Sequence, residues 1–286
     1  MTQPLDTGET GTFPALSPIP GGMSTPILQT EALSVSYGPA KALFDVSIDV
    51  DDGQVVAVLG ANGAGKSSLA RAVAGLVAPA SGRVLLAGED ITGRPAHVVA
   101  RLGLSYVPEG RGIFPGLSVI DNLRMFVRQM GTDQDADVGV ERAFELFPVL
   151  GERRHQRAGT LSGGEQQMLA LARVLACRPK VVIADEPSLG LAPLLIDVVF
   201  ESLAKAREEG VTIVLIEQFI HRALTFADRC LILQRGRLTW SGPAADAKAE
   251  VVARYLGADV AAVVGEAEAV ADLMTSPVNP EQSAGQ

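Results

Sequence analysis

Along this chain the apolar residues fall into short β-branched runs separated by stretches with helical spacing. The run Val55–Leu59 follows the turn Asp51-Asp52-Gly53 and predicts a buried strand, with a helix over Leu69 to Val77 behind it. Ahead of it, Ile27 to Tyr37 alternates as an edge strand would. Leu43 to Val50 predicts a second strand carrying Phe44, Val46, Ile48 and Val50 on one face. Val84–Leu86 is a short strand between glycine turns, Pro95 to Arg101 a turn or two of helix, and Leu104 to Val107 a strand that stops at Pro108. Residues 118–160 then read as helical, from Ser118 to Arg128 and again from Asp137 to Phe147, with no strand pattern. After a helix over Met168 to Ala176 the alternation resumes. Strands are predicted at Val181–Asp185, Thr212–Ile216 and Cys230–Gln234, and helices at Leu194 to Glu209 and Phe219 to Ala227. The pattern predicts an α/β fold with a parallel sheet, an antiparallel β subdomain at the N-terminal side, and a helical subdomain over about residues 110–175 inserted between two core strands.

The junction after Leu59 carries the first chemistry. Gly60-Ala61-Asn62-Gly63-Ala64-Gly65-Lys66-Ser67-Ser68 matches a phosphate-binding P-loop, and it lies where such a loop must lie, between a strand and a helix N-terminus. The glycines let backbone amides turn inward around phosphate oxygens. Lys66 is expected at the β- and γ-phosphates of a nucleoside triphosphate and the Ser67 hydroxyl on Mg²⁺. This makes the core a P-loop NTPase. Tyr37, on a turn with Gly38 and Pro39, is either an aromatic that stacks on adenine or a strand-end ring that covers the core.

Composition changes this picture little. A 47% hydrophobic and 20% charged chain is ordinary for a globular protein, and the formal charge of -9 speaks against a nucleic-acid partner that needs a broad basic face. Acidity gathers in the ends. Residues 1–24 hold Asp6 and Glu9, are rich in Pro, Thr and Gly, and are expected to be a disordered extension, with Met23 a candidate start. The tail 258–286 has Asp259, Glu266, Glu268, Asp272 and Glu281 and no Lys or Arg, and is expected to be helical at first and then disordered. That leaves 25–257 as the nucleotide-binding domain. No run reaches the roughly 18 to 20 apolar residues of a membrane-spanning helix. Cys177 and Cys230 lie in apolar segments without a CxxC pattern and read as buried thiols.

Two further motifs follow. Ser162, Gly163 and Gly164 open a helix and form a second anion site, with Ser162 able to donate to phosphate. The apolar strand into Asp185 and Glu186 places one acid to hold Mg²⁺ and the next to orient or deprotonate attacking water. The loop Gly110 to Leu117 sets Ile113 and Phe114 between glycines, as core plugs or as a docking surface for another protein.

In their order and spacing the P-loop, Leu161-Ser162-Gly163-Gly164-Glu165-Gln166 and the strand into Glu186 resemble the ATP-binding cassette ATPases over about residues 27–257. Within them the chain is similar to the ATP-binding subunits of branched-chain amino acid importers, through Val107 to Pro115, Asp185 to Pro193, Ile216-Glu217-Gln218 and Tyr255-Leu256-Gly257. Three positions depart from the wider cassette pattern: Glu109 replaces a glutamine, Gln218 the switch histidine, and Ala192 a loop aspartate. The resemblance implies ATP hydrolysis with Glu186, Gln218 and Glu109 as catalytic candidates, and head-to-tail pairing with a second ATPase subunit whose P-loop faces this chain's signature. It further implies two membrane permease subunits, an extracytoplasmic solute-binding protein, and a place on the cytoplasmic face of the membrane. Urea or amide importers and the lipopolysaccharide-export type are the alternatives, the last expected to carry a histidine where Gln218 stands.

Overall fold

The computed structural model describes residues 25–110, 112–130 and 136–247. The proposed N-terminal extension and acidic tail therefore lie outside the described residues. Two sheets organise the chain. The first contains β1 (Leu28–Tyr37), β2 (Ala40–Val50), β4 (Ser81–Leu86) and β5 (Glu89–Asp90), in the antiparallel order β2-β1-β4-β5. The second contains β3 (Val55–Leu59), β6 (Leu104–Val107), β7 (Val181–Asp185), β8 (Thr212–Ile216), β9 (Arg229–Gln234) and β10 (Arg237–Pro243), in the order β10-β9-β3-β8-β7-β6. Its strands run parallel except β10, which returns antiparallel on β9.

Strands β3, β7 and β8 are buried along their whole length, which is why they read as unbroken apolar runs instead of alternating ones. The period of two still divides them between two cores. Val55, Ala57 and Leu59, with Ile213 and Leu215, pack into the helical side, while Val56 and Val58, with Val214 and Ile216, pack toward the first sheet. Each Val, Leu or Ile among them contributes roughly 1.5–3 kcal/mol on burial, so this face assignment fixes the register.

The helices follow as α1 (Lys66–Val73), α2 (Ala96–Arg101), α3 (Val119–Gln129), α4 (Ala136–Leu146), α5 (Pro148–Glu152), α6 (Gly163–Leu175), α7 (Pro193–Glu208) and α8 (Ile220–Phe226). The stretch α3 to α6 leaves the sheet at the end of β6 and returns into β7, and these two strands are hydrogen-bonded neighbours. Ser118 caps α3, accepting a hydrogen bond from the Asp121 N–H.

Two sequence expectations change, and one further strand is found. β1 is no edge strand, because β2 and β4 flank it on either side. Phe44 leaves the inward face of β2: Asp45 adopts a left-handed φ of 53° at a register shift, so Leu43 enters the core and Phe44 stays half-buried beside Lys41 and Arg237. The strand β10, whose polar Arg237, Thr239 and Ser241 alternate with Leu238 and Trp240, was not among the expected strands.

Candidate functional site

The loop from Leu59 to Lys66 is held by close backbone approach. Gly65 has φ 105°, and a side chain there would come within 2.7 Å of Leu43 Cδ2 and 3.0 Å of the Ala42 carbonyl, so only glycine fits. Lys66, the first residue of α1, is buried, and its Nζ donates to the carbonyls of Gly60 at 2.8 Å and Ala61 at 3.3 Å. Desolvation pushes its pKa below the ordinary lysine value, against the pull of Glu186, Asp185 and Glu109. Asn62 and Gly63 are exposed at the loop tip, and Ala64 is buried beneath it.

Asp185 ends β7 fully buried and accepts two hydrogen bonds, from Ser67 Oγ at 3.2 Å and from the Tyr106 hydroxyl at 2.9 Å. Burial and the Asp185 charge raise the Tyr106 pKa, so Tyr106 stays a donor. Tyr106 and Tyr37 beside Arg71 on α1 raise its pKa. Tyr37 is exposed, its hydroxyl 3.5 Å from Ser68 Oγ, so the ring stands at the solvent edge of the P-loop helix. The two hard oxygens of Ser67 and Asp185 suit Mg²⁺.

Glu186 follows with φ 51°, a left-handed conformation that a non-glycine residue adopts only under constraint. Its N–H donates to the Ile216 carbonyl at 2.8 Å, and its Oε2 accepts from Gln218 Nε2 at 2.9 Å. Thus the ends of β7 and β8 bring the acid and the amide together. Glu109 and Glu186 line one cleft of about 560 Å³ with Gln166 and Gln167.

Ser162, Gly163 and Gly164 do not line that cleft. Ser162 and Glu165 form a capping box: Ser162 Oγ accepts from the Glu165 N–H at 3.4 Å, and Glu165 Oε2 accepts from the Ser162 N–H at 2.8 Å. Gly164 is buried against α7, where a Cβ would fall 2.1 Å from Leu195 Cδ1. The loop at Ile113 and Phe114 is partitioned: Ile113 packs partly buried on the core, whereas Phe114 is exposed. The buried Asn122 clamps the Phe114 backbone, accepting from its N–H at 2.8 Å and donating to its carbonyl at 3.0 Å. Beneath the ring, the Arg173 guanidinium lies 5.8 Å from Phe114 and 5.1 Å from Phe126, and burial lowers its pKa to about 10.

Three residues of this region carried no signal of their role in the sequence. These are Tyr106, Ser188 and Glu217, the last an acid inside an apolar strand end that proves buried.

A family profile described as ABC transporter matches residues 43–189. The high-affinity branched-chain amino acid transport ATP-binding protein BraG of Pseudomonas aeruginosa is 44% identical over 234 residues, covering 81% of this chain and all of that protein. The chain belongs to the ATP-binding cassette transporter ATPases. A probable branched-chain amino acid transport protein, LivF of Archaeoglobus fulgidus, is 36% identical to this cassette ATPase over 76% of its chain and 92% of the relative. A solved ATP-binding subunit of an ABC transporter superposes with a TM-score of 0.72 at 27% identity, covering 83% of this cassette ATPase and 98% of that chain. Nucleotide binding and ATP hydrolysis on behalf of a transporter are thus its activity. Among the described residues no helix is long and apolar enough to cross a membrane.

Proposed function

We propose that this ATPase powers an importer of branched-chain amino acids or related small polar solutes, with Glu186 as the base or water-orienting group of hydrolysis. The observation that carries the chemistry is the 2.9 Å hydrogen bond between Gln218 and Glu186, one residue beyond the buried Asp185. The solute class rests on the likeness to BraG over the whole length of that protein.

In this reading the amides of Gly60 to Ser68 surround the phosphates, and Lys66 exchanges its two loop carbonyls for β- and γ-oxygens. Ser67 and Asp185 hold Mg²⁺, which neutralises phosphate charge. Tyr37 stacks on adenine from the solvent edge. Glu186 takes or directs the proton of attacking water, while Gln218 turns from Glu186 to donate to the γ-phosphate; an amide can do this but cannot shuttle a proton. Glu109 lines the same cleft and senses the nucleotide. Ser162, Gly163 and Gly164 serve the ATP of a second ATPase subunit across a head-to-tail pair.

The remaining partners are two permease subunits, which carry the pair on the cytoplasmic face of the membrane, and an extracytoplasmic solute-binding protein. In proteoliposomes holding all of these, hydrolysis should rise when the binding protein is loaded with leucine, isoleucine or valine. Stimulation by urea or a short amide alone would replace the solute assignment. No stimulation by any loaded binding protein would overturn the importer reading.

Phe114 is the proposed contact to a permease helix, since it is exposed on a loop whose backbone Asn122 fixes. Phe114→Asp is expected to lower recovery of the permease complex by about tenfold or more, an effect of hot-spot size. The isolated subunit should keep its thermal midpoint. Lost thermal stability with intact assembly would make the ring a core plug.

A further inference from the structure

We propose that Glu217 is a positioning residue for hydrolysis: its buried carboxylate ties the loop after β7 to the loop after β8 and so sets the spacing of Glu186 and Gln218. The inference rests on the roles given above to those two residues.

Glu217 follows the last residue of β8 and is 2% exposed. Its Oε1 accepts from the Ser188 N–H at 3.1 Å and from the Ser188 hydroxyl at 2.5 Å, and Ser188 is itself fully buried. Its Oε2 accepts from the Gln218 N–H at 3.1 Å. One side chain thus collects donors from two loops. Ser188 stands two residues after Glu186, and Gln218 is the next residue after Glu217.

Packing alone does not account for an acid here. Burial pushes the Glu217 carboxyl above the usual glutamate range, the hydrogen bonds from Ser188 and Gln218 oppose that rise, and no cation pairs with it among the described residues. An apolar side chain of similar volume would fill the space without desolvating a carboxyl group. What it would not do is accept from both loops at once. Apart from the Gln218–Glu186 side-chain contact itself, the Glu186 N–H donates to the Ile216 carbonyl, which fixes the backbone of Glu186 but not that of Gln218. With Glu217 in place, the Gln218 side chain can leave Glu186 for the γ-phosphate while its own backbone stays anchored.

Glu217→Gln tests this at constant shape. An amide presents an acceptor on one side and donors on the other, so whichever way it turns, backbone N–H groups of one loop meet an NH₂. In the reconstituted transporter, kcat should fall about tenfold or more, as expected when catalytic groups lose alignment, while KM for ATP stays within about twofold. Ser188→Ala removes one donor and keeps the backbone N–H, so its loss should be smaller. Combined with Glu217→Gln it should add little further loss, because both act on one tie. A folded Glu217→Gln transporter with wild-type kcat would overturn the proposal. So would equal changes in kcat and KM, or strictly additive losses in the double variant. Should Glu217→Gln fail to fold, unchanged kcat in Ser188→Ala would overturn it instead. Glu186→Gln is assayed beside them: if it is inactive while Glu217→Gln is unaffected, the positioning role alone fails, and if it remains active the role of Glu186 fails as well.

Discussion

Glu186→Gln is expected to lower hydrolysis at this chain's own P-loop by about 10²- to 10⁴-fold, the usual contribution of a positioned general base. The amide is isosteric and its oxygen can still accept from Gln218, so the strained turn at Glu186 and the Glu186–Gln218 contact survive. Lys66, Ser67 and Asp185 are untouched, and ATP should remain bound, holding the paired subunits closed. Gln218→Ala removes one neutral hydrogen bond worth about 0.5–1.5 kcal/mol and should cost far less. Because neither residue is an imidazole, the rate should show no titration near pH 6 to 7 from a switch group. Single-turnover hydrolysis in the assembled complex, with the partner's catalytic acid disabled, isolates this site. A Gln218→Ala variant as inactive as Glu186→Gln would reverse the ordering and make the amide essential.

Lys66→Ala is expected to weaken ATP binding by about 10- to 150-fold, since a charge-assisted hydrogen bond contributes roughly 1.5–3 kcal/mol. Turnover should be lost with it. The nucleotide-free protein should not become less stable. Burial lowers the Lys66 pKa, so the folded state binds this proton less tightly than the unfolded chain. The resulting stability penalty is fully present below the lowered folded pKa, and it is relieved as pH rises from there toward the unfolded value of 10.5. Removing the ammonium removes that penalty. Thermal unfolding with and without ATP reads both effects: the midpoint without nucleotide should hold, and the upward shift that ATP gives the wild type should shrink in step with the lost affinity. An unchanged ATP-induced shift would refute the assignment of Lys66.

The placement of these two residues was legible in the sequence because the motifs that carry them are local. A P-loop is contiguous, and Val181–Asp185 announces a buried strand whose end must be solvated or coordinated. The neighbours of a strand are not local. Nothing within Leu28–Tyr37 reveals that β4 pairs on its second side, so an interior strand looked like an edge. Asp45 carries no mark of the left-handed turn that exchanges Leu43 for Phe44 in the core. Among the described residues β10 ends its sheet and pairs with β9 alone, a placement that its own seven residues do not reveal. The same holds at the site. Glu217 sits beside Gln218 in sequence, but its bond to Ser188 crosses between neighbouring strand ends, and only the sheet order creates it.

The adjacency of β6 and β7 has a consequence for how the chain tolerates change in length. The helices α3 to α6 leave and re-enter the sheet through two strands already bonded to each other, so the sheet meets that whole segment as one closed loop. The entropy of closing a loop grows only with the logarithm of its length, about 0.6 kcal/mol for each doubling. Residues gained or lost between α3 and α4 therefore cost the nucleotide-binding core almost nothing, and the outer helices can be remodelled toward a new permease without disturbing the register that aligns Lys66, Asp185 and Glu186.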